Sequence, residues 1–139
     1  MSMDYAIKIN IYAPYTQETI YKILHRGSKK KFIYHDYVFG VRYKDSPIID
    51  AQAGAVKIIN AYNNDIEGGP SILVIVDTVS DNNVFFWFEK VEGGGLKFTM
   101  GDFSNPLKKG HFIDFAYYIR MALDLCEDFS IFEVRTDMF

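Results

Sequence analysis

Three runs rich in β-branched and aromatic residues, 72–79, 84–91 and 96–100, follow one another with only short links between them. The links, Ser80-Asp81-Asn82-Asn83 and Glu92-Gly93-Gly94-Gly95, are polar or glycine-rich and far too short to carry a crossover helix. The segment therefore reads as a three-strand antiparallel meander. Consecutive strands of this kind exclude strict βα alternation and place the chain in the α+β class.

If each four-residue link closes symmetrically, Val79 lies opposite Val84 and Val91 opposite Leu96. One face then carries Ile72, Val74, Val76, Phe85, Trp87, Val91, Leu96, Phe98 and Met100 and is expected to be core. The other carries Leu73, Ile75, Asp77, Phe86, Phe88, Lys90, Lys97 and Thr99. On that second face Leu73, Ile75, Phe86 and Phe88 form an apolar island with Asp77, Lys90 and Lys97 at its rim. Burying one such side chain stabilises by about 1.5–3 kcal/mol, so the island is expected to be covered. The cover is one of the protein's own helices, another protein, or a second copy of the chain. Leu73, Ile75, Phe86, Phe88, Lys90 and Lys97 are accordingly the candidate protein-interface residues.

Around the meander the pattern is mixed. Residues 5–12 alternate, with Tyr5, Ile7, Ile9 and Ile11 on one face and Lys8 and Asn10 on the other, as in a half-buried strand. Thr16 is a helix N-cap, Ile20, Ile23 and Leu24 share a face, and Gly27 is the expected stop. Residues 32–43 read as a strand and 44–47 as a turn. Asp50 can cap a second helix, although a strand at 55–62 fits the same residues. A helix is expected from about His111 to Asp128. Phe112, Phe115, Ala116, Ile119, Leu123 and Cys126 form its apolar face, and Arg120 and Asp124 an i,i+4 ion pair. A last strand covers 129–136. The expectation is one α+β domain over 1–139. Its sheet is mostly antiparallel, with the meander at about 72–100, and two or three helices, at about 16–26, 50–64 and 111–127, pack on it.

The chain carries one cysteine, Cys126, so no internal disulfide can form. Its first residues show no basic, apolar leader pattern, and no apolar run is long enough to span a bilayer. A cytoplasmic protein without membrane attachment is the resulting expectation. The formal charge of −3 divides as +2 over residues 1–69 and −5 over 70–139, which argues against a nucleic-acid binder. The Lys29-Lys30-Lys31 run reads as a solvated junction rather than a polyanion site.

A search for chemistry returns mainly absences. There is no Gly-x-Ser-x-Gly, His-Glu-x-x-His or Cys-x-x-Cys pattern, and Gly93-Gly94-Gly95 lacks the Lys-Ser/Thr of a phosphate loop. Asp81-Asn82-Asn83 lacks the ligand spacing of a calcium loop. His25, His35 and His111 show no motif spacing. No catalytic residue, metal ligand or cofactor is assigned, and the reading leans away from an enzyme. Cys126 suits core packing. The leading expectation is a small protein-binding module, of the build shared by bacterial immunity proteins that neutralise toxins or effectors. One alternative is a small-molecule-binding protein or enzyme whose aromatic pocket is lined by Tyr34, His35, Tyr37 and Tyr43. The other is a homo-oligomer, most simply a homodimer.

Overall fold

The computed structural model describes residues 5–36, 45–63, 71–77, 82–101, 108–110 and 112–138; of 62–63, 71–77, 82–83, 112–113 and 138 it describes the backbone alone. In chain order the elements are β1 (Tyr5–Ile11), α1 (Gln17–Lys29), β2 (Ile33–His35), β3 (Ile48–Ile49), α2 (Ala51–Asn63), β4 (Ser71–Asp77), β5 (Asn82–Lys90) and β6 (Leu96–Gly101). They continue with β7 (Lys108–Lys109), β8 (Phe112–Ile113), α3 (Phe115–Leu125) and β9 (Ile131–Met138). Seven strands form one sheet in the order β3-β2-β4-β5-β6-β1-β9, and β7 pairs with β8. Every described pairing is antiparallel, and the fold is α+β.

One face of the sheet supplies the core. Ile7, Ile9 and Ile11 of β1 lie beside Met100, Phe98 and Leu96 of β6, which lie beside Phe86, Phe88 and Lys90 of β5. The apolar members of this set are fully buried, together with Ile20, Ile23 and Leu24 of α1, Ala55 and Ile58 of α2, and Tyr118, Ala122 and Leu125 of α3. They form one cluster, so the three helices pack on the same face. Phe98 sits between two rings of β5, with centroids 4.9 Å from Phe86 and 5.3 Å from Phe88.

The helix termini follow local chemistry. The Thr16 side chain accepts from the Thr19 N–H at 3.3 Å, and Asp50 and Asp114 accept from Ala53 and Tyr117 in the same way. The Asp50 cap and α2 remove the alternative of a strand at 55–62. At the end of α1, the Lys31 N–H donates to Ser28 and the Phe32 N–H to Gly27, with Lys31 left-handed at φ 66°. Gly27 is thus not the stop: α1 runs through it to Lys29. A Cβ there would stand 2.0 Å from the Tyr34 hydroxyl oxygen and 2.8 Å from a Phe32 ring carbon, so glycine serves close packing of β2 on the helix. In α3, which starts only at Phe115 because 112–113 pair with β7, the buried residues are Tyr118, Met121, Ala122 and Leu125. Of the expected apolar face Cys126 is buried, Phe115, Ile119 and Leu123 are half-buried against the core, and Ala116 is exposed. The end of the expected strand at 32–43 lies outside the described residues.

The meander is present, but its register differs from symmetric closure. Val74 lies opposite Val84, Ile72 opposite Phe86, and Lys90 opposite Leu96. The second link has five residues, 91–95; the Val91 N–H donates to Gly95, and Gly93, Gly94 and Gly95 all take positive φ. The β4–β5 register also shifts between Ile75 and Asp77. A one-residue slip exchanges the faces of a strand. Phe86 and Phe88, expected in the island, are therefore in the core, and Phe85 and Trp87, expected in the core, lie on the opposite face.

Candidate functional site

The face opposite the three helices, called here the outer face, is built from rows of side chains across four strands. Strand pairing sets Phe85, Gly101, Ala6 and Asp137 in one row, Trp87, Thr99, Lys8 and Arg135 in the next, and Glu89, Lys97, Asn10 and Glu133 in the third. Leu73 continues the first row at the register position opposite Phe85. Gly101 keeps that row shallow; a Cβ there would lie 2.9 Å from the Tyr5 carbonyl oxygen and 3.1 Å from the Ala6 Cβ.

Two aromatic pairs mark this surface. Phe85 and Trp87, both half-buried, have ring centroids 5.6 Å apart. Phe132, the extra residue of a bulge opposite the end of β1, lies 4.4 Å from Tyr12, and the two are 41% and 66% exposed. Paired polar groups fill the middle. Lys8 bridges Asp137 at 2.8 Å, the Asn10 amide donates to Glu133 at 2.9 Å, and Lys97 lies 3.9 Å from Glu89. The ammonium of Lys8 holds the Asp137 carboxyl below its ordinary range. The Thr99 hydroxyl and the Asn10 amide oxygen are buried with no hydrogen-bond partner among the described residues.

Of the candidate interface residues, Phe86 and Phe88 have no exposed surface and Lys90 is exposed at the end of β5. Lys97 is half-buried on the outer face, and for Leu73 and Ile75 the strand register alone is described.

The pocket candidates divide differently. Tyr34 is a core residue whose hydroxyl donates to the Leu24 carbonyl, and burial pushes its phenol upward from the ordinary range. The His35 ring is buried with Nδ1 3.0 Å from the Ser46 carbonyl. Tyr37 and Tyr43 lie outside the described residues. The next residue, Asp36, lines a cleft against α2. It pairs there with Lys57, and the cleft, of about 560 Å³, is otherwise lined by Ile49, Ala53, Val56, Asn60 and Ala61. Desolvation lowers the Lys57 ammonium from its ordinary value. The hint in the sequence was the helical spacing of Ala53, Val56, Lys57 and Asn60, half-polar beside an otherwise apolar face.

A second cleft, about 460 Å³, lies between the end of α1 and α3 and is lined by Lys30, Phe32, Tyr117, Arg120, Met121 and Asp124. Here Asp124 pairs with Lys30 across the helices, not with Arg120, whose Nε donates to the Ala116 carbonyl at 3.3 Å. Arg26 joins the same seam through Glu127 at 2.5 Å and Asp128 at 3.5 Å. Two cations of the basic segment around Lys30 are thus committed to carboxylates of the acidic second half.

Among the described residues no three His, Cys, Asp or Glu side chains converge as metal ligands, and no helix is long and apolar enough to cross a membrane. The lone cysteine, Cys126, is fully buried, and burial pushes its thiol up to about 12. No protein-family model, curated protein or solved structure matches this chain.

Proposed function

We propose that this domain is a protein-binding module whose docking surface is the outer face of β5, β6, β1 and β9. The observation that carries the reading is the Phe85–Trp87 pair, half-buried on that face beside the shallow Gly101–Ala6 row. Aromatic anchors inside a polar rim are the usual energetic centre of protein interfaces. The rim is balanced, with Lys8, Lys97 and Arg135 against Glu89, Glu133 and Asp137, so the partner it suits is a protein surface without strong net charge at the contact. Immunity-type neutralisation of a toxin or effector is the specific form of this reading, supported by size and build alone.

The test is affinity capture with paired baits. Trp87→Ala is expected to lose a partner that the wild-type chain retains in salt, while keeping its melting transition. Retention of the same partner by both baits contradicts the docking face.

The Asp36–Lys57 cleft supports a second reading, binding of a small ligand. Its volume lies in the range of small-molecule sites and its lining is largely apolar around one ion pair. A metabolite thermal-shift screen with Lys57→Met as control tests it: a shift present in the wild type and absent in the variant supports the cleft.

A further inference from the structure

Strand β9 is the long edge of the sheet. Its inner side pairs with β1 from Tyr5 opposite Met138 to Ile11 opposite Ile131, and among the described residues no strand pairs with its outer side. The other edge, β3, has two residues where β9 has eight. Residues 132–136 are all exposed, including the apolar Phe132 and Val134 at 41% and 42%. An exposed strand of this length is a template for another strand unless its side chains oppose pairing.

The side chains of β9 select one register for pairing with themselves. Two identical antiparallel strands related by a two-fold axis normal to the sheet match faces only when the axis passes through a residue position. Centred on Glu133, the pairing sets that carboxylate against its own copy. Centred on Arg135, it sets two guanidinium groups together and Glu133 against Asp137. Centred on Thr136, it joins Arg135 to Asp137, which each chain already brings together within itself at 3.2 Å, with Lys8 on the same carboxylate at 2.8 Å. Centred on Val134, it brings the two valines together on the helix side. On the outer face it then sets Glu133 of each copy opposite Arg135 of the other, with the bulge at Phe132 bounding the regular pairing. Val134 shares its face with Ile9, and Glu133 and Arg135 share theirs with Asn10 and Lys8, so the faces agree with the sheet they would extend.

We propose that two copies of this chain pair antiparallel through β9, with Val134 on the two-fold axis and reciprocal Glu133–Arg135 bridges beside it. The contact uses the edge of the sheet and does not depend on the docking role of the Phe85–Trp87 face.

Sedimentation velocity on the full chain tests it. The wild type is expected at twice the monomer mass. Arg135→Glu sets like charges opposite each other twice and is expected to weaken association by about tenfold or more. The double variant Glu133→Arg/Arg135→Glu restores opposite charges and the dimer. A wild type that stays monomeric, or a dimer indifferent to Arg135→Glu, overturns the proposal; a monomer would leave the edge to a strand of another protein. Cross-linking fixes the register independently of these charges. Directly opposed residues stand about 4.5–5.5 Å apart at Cα, within disulfide reach, and Cys126 is buried and does not compete. Val134→Cys is expected to form a disulfide-linked dimer on mild oxidation, whereas Thr136→Cys is not. Cross-linking through Thr136→Cys with none through Val134→Cys contradicts the Val134 axis.

Discussion

The Tyr34 hydroxyl oxygen lies 2.0 Å from where a Cβ on Gly27 would stand. The contact locks β2 to α1, because the same hydroxyl donates to the Leu24 carbonyl one turn earlier. Gly27→Ala would gain about 1 kcal/mol of helix propensity in an open helix. Here it must displace an aromatic ring held between α1 and Phe86, and overpacking of that kind costs about 1–3 kcal/mol. Urea denaturation is expected to show net destabilisation; a more stable variant would refute the packing role of Gly27.

The register of the meander makes neighbouring aromatics unequal. Phe86 touches Phe98, Phe32 and Tyr34 in the core, and Phe86→Ala is expected to cost about 3–5 kcal/mol. Phe85→Ala, on the outer face, should cost clearly less. Equilibrium unfolding of the two variants checks this, and equal losses, or the reverse order, would restore the symmetric closure.

That pair also shows what the sequence could and could not reveal. The longer strands, the α+β class and the core positions of β1 follow from alternation and from the Thr16 and Asp50 caps, which act locally; the two-residue strands β3, β7 and β8 are too short to leave a pattern. The face assignment of β5 does not, because it turns on whether the glycine link has four residues or five. Residues Phe85 to Phe88 are all aromatic, so hydrophobicity cannot distinguish the two faces. Gly27 misled for a related reason: a glycine near a helix end suggests a stop, whereas its cause here is a ring from β2. The Asp36–Lys57 and Lys30–Asp124 pairs join residues far apart in the chain, and no local spacing predicts them.

Cys126 gives a pH-dependent prediction. Its thiol is pushed up to about 12 from 9.0, so the unfolded chain loses this proton first as pH rises. The native state binds more protons between those values, and stability falls across that window. Cys126→Ala should show a shallower decline between about pH 9 and 12 than the wild type. Aromatic disulfide reagents should label the native thiol only after denaturant is added.

The Lys30–Asp124 bridge acts in acid. Its carboxyl titrates below the ordinary value, first because of the hydrogen bond from Lys30. The stabilisation is therefore present above the ordinary carboxylate range and lost as pH falls through the lowered one. The carboxylate is well solvated, so the contribution is about 0–1 kcal/mol and salt-sensitive. In a carbon-detected NMR titration, Lys30→Met is expected to return the Asp124 midpoint toward its ordinary value; an unchanged midpoint would remove Lys30 as its partner.

Trp87 is the only tryptophan in the chain, which makes the outer face directly observable. The decisive measurement is acrylamide quenching of its fluorescence in the free protein and after addition of the captured partner. The account predicts a partly hydrated, readily quenched indole in the free chain and strong protection in the complex. An indole shielded already in the free protein would contradict the register, and one quenched equally in the complex would contradict the docking face.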